Sequence, residues 1–392
     1  AADRRPTLVT YDLPRWLGWW KRGQRGVHLY YLLWQWGAYR TARRLHRARP
    51  FDLVHHVTFV SIHQPSFMGL LGTRFWFGPL AGGDSVPRTL RPGLGLRAWA
   101  VEVARDLANG LARHGPLRAL AFAQAERIIV TSEATRALLP ESRRGGAEIE
   151  LAIGLEEPLP EAATARADDG VFRVLMAGRL APIKGTHLGL AAFAALVGGV
   201  PGRSDPSPYP LPPGEGGRKG SPLPLRKGKG EGWDRTAARL TIVGEGPAKG
   251  KLQARAAALG IAGRVTWVTE MPRAALRAWY AEHDVLLFTG LRDSGGMVVL
   301  EAMAAGVPVV CLDLGGPARI VDSGSGIVVA TAGCDEAAVI DGLATALATL
   351  AGSADLRHRL GLGAAARARA FTFANLARRL YADVAVDDGP GR

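Results

Sequence analysis

Apolar positions along the chain follow two alternating rhythms. Short runs rich in β-branched and aromatic residues read as strands: "PTLVTYDL", "FDLVHHVTF", "RFWFGPL" and "RIIVTS" in the first half. Between them lie stretches with helical spacing. "VHLYYLLWQWGAYRTARRLHRAR" gathers arginines toward its C-terminus, where they suit the helix dipole. "RAWAVEVARDLANGLARHGPLRALAFAQA" reads as one long helical stretch before "RIIVTS". The rhythm restarts in the second half. "VFRVLMAG", "ARLTIVGEG", "RVTWVT", "DVLLFTG", "GVPVVCLDL" and "SGIVVA" are predicted strands. "THLGLAAFAALV", "GKLQARAAALG" and "RAALRAWYAEH" are predicted helices between them. Strands that alternate with helices predict α/β folding, with doubly wound parallel sheets whose ligands gather at the carboxyl ends of the strands.

The pattern also divides the chain. Residues 1–155 form a first Rossmann-like domain in this reading, and 156–170, acidic and rich in Ala and Pro, a linker. Residues 171–370 form a second Rossmann-like domain, and 371–392 a C-terminal helix and tail. One segment breaks the rhythm: 201–232 holds eight Pro and eight Gly in 32 positions. That composition buries too little apolar surface to offset chain entropy, so it is expected to be a disordered insertion.

Composition adds bounds. A length of 392 residues at 47% hydrophobic suits two ordinary domains. No apolar run approaches the roughly 18 residues of a membrane span. The opening "AADRRPTLV" has neither a secretory signal nor an initiator methionine. Cys311 and Cys334 form no framework, and Cys311 reads as a small buried hydrophobe. A cytoplasmic setting is expected. The net charge is +14. From Leu13 to Phe51 there are nine Lys or Arg and no Asp or Glu, together with five of the ten tryptophans. Basic residues beside Trp and Tyr suit an anionic membrane surface as a peripheral partner. An amphipathic helix packed on its own domain gives the same pattern. No helix-turn-helix, zinc-ligand or RNP-like pattern supports nucleic acid as a partner.

The candidate chemistry collects after the second-half strands. In "AGRLAPIKG", Gly178 opens a loop carrying Arg179 and Lys184, two cations placed to meet a diphosphate; a surface pair flanking a turn is the plain alternative. "VGEGP" brings Gly244, Glu245 and Gly246 to another strand end, either for close approach to a ligand or simply for a tight turn. "DSGGMVVLEAMAAGVPVV" then leads from a strand into a helix near Met297. Gly295 and Gly296 leave the backbone unobstructed, and the N–H groups from Gly295 to Val298 can meet anionic oxygens. Glu301 lies about one turn inside, where a carboxylate can accept hydrogen bonds from a ribose. Asp293 and Ser294 open the loop. An Asp293 that merely caps the helix, with a solvated Glu301, is the competing reading. No metal-ligand spacing is present.

In order, these motifs resemble the donor domain of family 4 (group 1) retaining glycosyltransferases of GT-B fold. The acidic-x7-Glu pattern stands as Asp293 and Glu301 before "AMAAGVPVV", the Gly-Arg…Lys-Gly pattern as "GRLAPIKG", with "VGEGP" and "GGPARIV" beside them. The first half resembles a bacterial acceptor domain through "FDLVHHVTFVS", "GPLAGGD" and "RIIVTSEATRALLP". The family's first acidic residue is usually Glu, and its catalytic histidine has no clear counterpart; "GPLAGG" occupies that region.

The resemblance implies transfer of a sugar from a UDP- or GDP-sugar to an acceptor hydroxyl, with retention, in cell-surface glycan or glycolipid synthesis. It implies no metal and no bound cofactor. Arg179, Lys184 and Asp293 would be catalytic. Gly178, Gly244, Glu245, Gly246, Ser294, Gly295, Gly296, Met297, Val298 and Glu301 would hold the donor. His55, His56, His63, Gly82 and Gly83 are acceptor-side candidates, and a structural or solvated strand-end residue is the plain alternative for each histidine. Family acceptor domains open with a strand and a glycine-rich loop. This chain starts beyond them, so an incomplete first sheet with exposed edges is expected. Two alternatives stand: a nucleotide-sugar epimerase, and a remnant that binds nucleotide or membrane without turnover.

Overall fold

The computed structural model describes residues 6–21, 23, 25–57, 59–112, 115–157, 169–198, 234–269 and 271–384. The predicted insertion at 201–232 and residues 158–168 of the predicted linker lie outside the described residues. The chain divides into two compact units, Ala1–Asp84 with Ala104–Ala152, and Ser85–Val103 with Ile153–Arg392.

The first unit is built on four parallel strands in the order β1-β2-β3-β4: Leu53–His56, Arg74–Leu80, Arg127–Val130 and Glu148–Ile149. β2 is an inner strand and every residue after Arg74 is buried, which the absence of any charged residue from Phe75 to Leu80 anticipates. Phe75, Phe77, Phe122, Ile128 and Val130 form the core with Ile62 and Leu139. At Gly78 a Cβ would meet the Ile129 carbonyl oxygen at 2.1 Å, so only glycine lets β2 lie this close to β3. Arg127 lies over the Trp76 ring at 4.2 Å and pairs with Glu148 of the edge strand.

Two expectations in this unit are corrected. "PTLVTYDL" is not a strand: residues 6–14 are irregular, and Leu8 and Val9 are exposed. Pro6 and Pro14 bracket the run and remove ladder donors. The segment is instead tied to the helix Val27–Ala48 (α1) through Trp34 Nε1, which donates to the Tyr11 carbonyl at 3.0 Å. The long helical stretch is also two helices, Leu96–Ala112 (α2) and Pro116–Gln124 (α3). Pro116 supplies no N–H to a preceding turn but is pre-set for a helix start. Strand β1 lies at one edge of the sheet. Trp16, Trp19 and Trp36 of the basic, aromatic segment are largely exposed.

The second unit holds six parallel strands: β5 Arg173–Ala177, β6 Arg239–Val243, β7 Val265–Val268, β8 Val285–Phe288, β9 Val309–Leu312 and β10 Gly326–Val329. Their order is β10-β9-β8-β5-β6-β7, so the winding reverses between β5 and β8. Ligands of such sheets bind at the carboxyl ends of the strands flanking that reversal. Thr186–Gly198 (α4) is apolar on all sides, hence buried, and packs against Glu336–Ala351 (α5). Val86, Leu90 and Leu94 join this unit's core, which is why residues 85–103 group with the second sheet, not the first. Cys311 is fully buried in β9, and burial pushes its thiol pKa up. No single helix among the described residues is long and apolar enough to cross a membrane.

Candidate functional site

Three loops meet at the carboxyl ends of β5, β6 and β8, and they are fastened by backbone. The loop after β6 lies against the loop after β5: Leu180 N donates to the Glu245 carbonyl at 2.8 Å, and Ala248 N to the Leu180 carbonyl at 3.0 Å. A Cβ on Gly244 would meet the Gly178 oxygen at 2.0 Å, and one on Gly246 the Leu180 oxygen at 2.3 Å. The glycines of "VGEGP" are thus required by loop-on-loop packing, whatever ligand approaches them. The loop after β5 is tied to the end of β8 in the same way. Leu291 N donates to the Ile183 carbonyl at 3.0 Å, and Thr289 Oγ1 to the Lys184 carbonyl at 3.3 Å.

This fastening brings the predicted charges together. Lys184 Nζ lies 2.6 Å from Asp293 Oδ2, with both side chains largely buried. Asp293 Oδ1 accepts from Gly295 N at 3.1 Å and Gly296 N at 3.2 Å. The expectation that the amides of Gly295 to Val298 all face an anion is therefore corrected: a carboxylate just ahead of a turn takes the nearest N–H groups itself. Met297 and Val298 remain as the first residues of the helix Met297–Ala304 (α6), where N–H groups lack intrahelical acceptors. Asp293 holds the turn ahead of α6 but is not the helix cap of the competing sequence reading: the N-cap is Gly296, with no side-chain cap bond, and Asp293 also carries the ion pair. Arg179 and Gly178 are exposed on the same loop as Lys184. Ser294 and Glu301 are half-buried. Glu245 pairs with Lys249.

Residues without any sequence signal complete the site. Tyr280, fully buried, donates from its hydroxyl to Glu301 Oε2 at 3.0 Å. Glu102 is also fully buried; its Oε2 accepts from Val86 N at 3.0 Å, and its Oε1 lies 2.7 Å from Arg292 Nη1, immediately before Asp293. The latter is an ion pair without straight hydrogen-bond alignment. The "GGPARIV" motif braces the loop from the other side. Gly316 N donates to the Asp293 carbonyl at 2.9 Å, and a Cβ on Gly315 would meet that carbonyl oxygen at 2.1 Å. Asp293 is over-determined by these contacts, which suits a group that must present its carboxylate in one direction.

The acceptor-side candidates are dispersed in the first unit. His55 Nε2 lies 2.9 Å from the Gly78 carbonyl, and burial lowers its pKa. His56 is buried, with Nδ1 2.6 Å from Ser66 Oγ and Nε2 3.0 Å from Tyr31 Oη. Both rings hold the sheet to its surroundings. Gly82 has φ +118°, and a Cβ there would meet the His63 ring at 3.5 Å. Gly83 closes on residues Ala134 and Thr135, where a Cβ would meet backbone at 2.4 Å. Among the described residues no group of three or more His, Cys, Asp or Glu could hold a metal.

Residues 228–366 match the family described as Glycosyl transferases group 1. A D-inositol 3-phosphate glycosyltransferase of Nocardia farcinica is 29% identical over 309 residues, covering 77% of this chain and 56% of that protein. A protein of the same name from Streptomyces scabiei is 27% identical over 343 residues, covering 83% and 66%. The chain thus spans less than two thirds of the length of these relatives. Among solved structures, Anabaena HepE in complex with UDP superposes with a TM-score of 0.55 at 17% identity, covering 90% of this chain and 82% of that one. WaaG, a glycosyltransferase involved in lipopolysaccharide biosynthesis, gives 0.52 at 15% identity, covering 94% and 85%. At such identities the superpositions establish a shared fold, the two-sheet architecture of GT-B glycosyltransferases.

Proposed function

We propose, from the premise that this chain is a group 1 glycosyltransferase of GT-B fold, that it moves a sugar from a nucleotide-sugar donor to an acceptor hydroxyl with retention at the anomeric carbon. The observation that carries the reading is the convergence of Lys184, Asp293 and the α6 N-terminus at the switch between β5 and β8. In this reading Arg179 and Lys184 balance the charge that develops on the departing diphosphate, aided by the Met297 and Val298 amides. Glu301, oriented by Tyr280, accepts from the ribose hydroxyls. Asp293, fixed by its turn, meets hydroxyls of the donor sugar. Side-chain cations and a helix start supply the positive charge that a divalent cation supplies in other transferases. UDP is the nucleotide we favour, because HepE was solved with it; GDP is the alternative.

We assign acceptor binding to the first unit and a cell-surface glycan or glycolipid as the product class, made at the cytoplasmic face of a membrane. The exposed Trp16, Trp19 and Trp36 among basic residues support a peripheral membrane contact. Flotation with anionic vesicles should carry the chain, and Trp16→Ser with Trp19→Ser should reduce it; equal flotation removes the membrane contact from the account. The activity itself is tested by incubating the chain with UDP- and GDP-sugars and candidate acceptors, and reading the anomeric coupling of the product by NMR. A product of retained configuration is expected, and an inverted one would overturn the mechanism.

A further inference from the structure

Glu102 is a fully buried carboxylate on α2, in the part of that helix that belongs to the second unit. Its two oxygens are used differently. Oε2 accepts from Val86 N at 3.0 Å. Oε1 lies 2.7 Å from Arg292 Nη1, and neither of these two buried atoms has an aligned hydrogen-bond partner. The contact with Arg292 is therefore charge compensation rather than a directed fastening. It is also a poor source of stability, because taking two charges out of water costs about what their attraction returns. The place of Arg292 in the chain gives the pair another use. Arg292 stands between Leu291, which is buried and donates from N to the Ile183 carbonyl at 3.0 Å, and Asp293. Asp293 Oδ2 pairs with Lys184 Nζ at 2.6 Å, while Oδ1 accepts from Gly295 N and Gly296 N. A guanidinium fork grips a carboxylate at two points, where an ammonium is a single point charge. Without Glu102, Arg292 would compete with Lys184 and the two turn amides for the carboxylate of its own chain neighbour.

We propose that Glu102 is a positioning residue for glycosyl transfer: it draws the Arg292 guanidinium away from Asp293, so that the Asp293 carboxylate keeps Lys184 and its turn and stays available to the donor sugar. Sequestration of this kind differs from pinning. If the pair pinned the loop, loss of either partner would free it, and loss of both would be no better. If Glu102 sequesters Arg292, only the loss of Glu102 does harm, and removing Arg292 as well repairs it. The link to the donor sugar rests on the proposed function. The sequestration does not, since it concerns contacts made within the second unit without any ligand.

The test uses the full chain, with amide hydrogen exchange over residues 290–300 and calorimetry with UDP and UDP-glucose. Glu102→Gln keeps an oxygen for Val86 N and loses the charge. It is expected to lose protection at Gly295 and Gly296, Arg292→Met to keep it, and Glu102→Gln with Arg292→Met to regain it. Glu102→Gln should bind UDP-glucose at least about tenfold more weakly, as for a lost charged hydrogen bond, with UDP not weakened. The double variant should recover the UDP-glucose affinity. Unchanged protection in Glu102→Gln, or equal loss in Arg292→Met, overturns the proposal. Removing one partner of a buried pair is strongly destabilising. Should a single variant fail to fold, the uncharged double variant decides: protection kept at both glycines is expected, and protection lost overturns the proposal. If the exchange pattern holds but wild type and Glu102→Gln bind UDP-glucose equally, Arg292 is sequestered and Glu102 has no part in transfer. A wild type that binds neither UDP nor UDP-glucose removes the proposed function instead, and the exchange pattern then decides the sequestration by itself.

Discussion

Asp293 performs two jobs that substitution can separate. Its Oδ2 pairs with Lys184 at 2.6 Å, and its Oδ1 accepts from Gly295 N and Gly296 N. Asn at this position keeps the Oδ1 acceptor and loses the charge; Ala loses both. The ion pair, with side chains 28% and 19% exposed, contributes about 0.5–1 kcal/mol. The two backbone bonds, at 3.1 and 3.2 Å, are long and contribute about 1–2 kcal/mol together. Asp293→Asn should therefore cost the loop under about 1 kcal/mol, and Asp293→Ala about 1.5–3 kcal/mol. Amide hydrogen exchange read by peptide mass spectrometry over residues 290–300 measures this directly. Asp293→Ala should lose protection at Gly295 and Gly296, and Asp293→Asn should keep most of it. If Asn deprotects the loop as fully as Ala, the charge holds the turn and the Oδ1 acceptor does not.

Tyr280→Phe removes one hydrogen bond to Glu301 without changing the buried ring, so nucleotide affinity should fall about 3–10-fold with little change in melting temperature; calorimetry showing unchanged affinity would free Glu301 from this orientation. His187, at the start of α4, has its pKa lowered to about 4 by burial and then by Arg255. Its folded-state pKa lies below the unfolded value near 6.5, so the unfolded chain binds the proton first as pH falls. The second unit should therefore lose stability between pH 6.5 and 4, by up to about 3 kcal/mol, and no further from this group below pH 4. Urea unfolding across that range should show a flatter profile in His187→Gln; an identical profile would assign the loss to other groups.

The second sheet was legible because its strands are continuous apolar runs separated by helices, the pattern of strands buried on both faces. "PTLVTYDL" misled because composition favours a strand there while two prolines deny it a ladder. Sequence order also hid the grouping of residues 85–103, since Val86, Leu90 and Leu94 bury themselves in the core of a sheet that follows much later in the chain. At the site, Lys184 and Asp293 are 109 positions apart, and the strand-end rule alone brought them near each other. That they form an ion pair, and that Asp293 takes two amides, depends on side-chain direction, which spacing does not encode. Glu102 in "VEV" and Tyr280 in "AWYAE" carry no local signal. Burial is what identifies them, and burial is a property of the packed core. Arg118 is the same case, a buried side chain on a helix whose sequence gives no sign of it.

The central claim is that the loops after β5 and β8, with Glu301 one turn into α6, hold a nucleotide. Calorimetry of UDP and GDP against the wild-type chain and Glu301→Ala tests it most directly. The account predicts that one of the two nucleotides binds the wild type and binds Glu301→Ala at least about tenfold more weakly, near 1.4 kcal/mol. Equal affinity in the two proteins, or binding of neither nucleotide to the wild type, would contradict it.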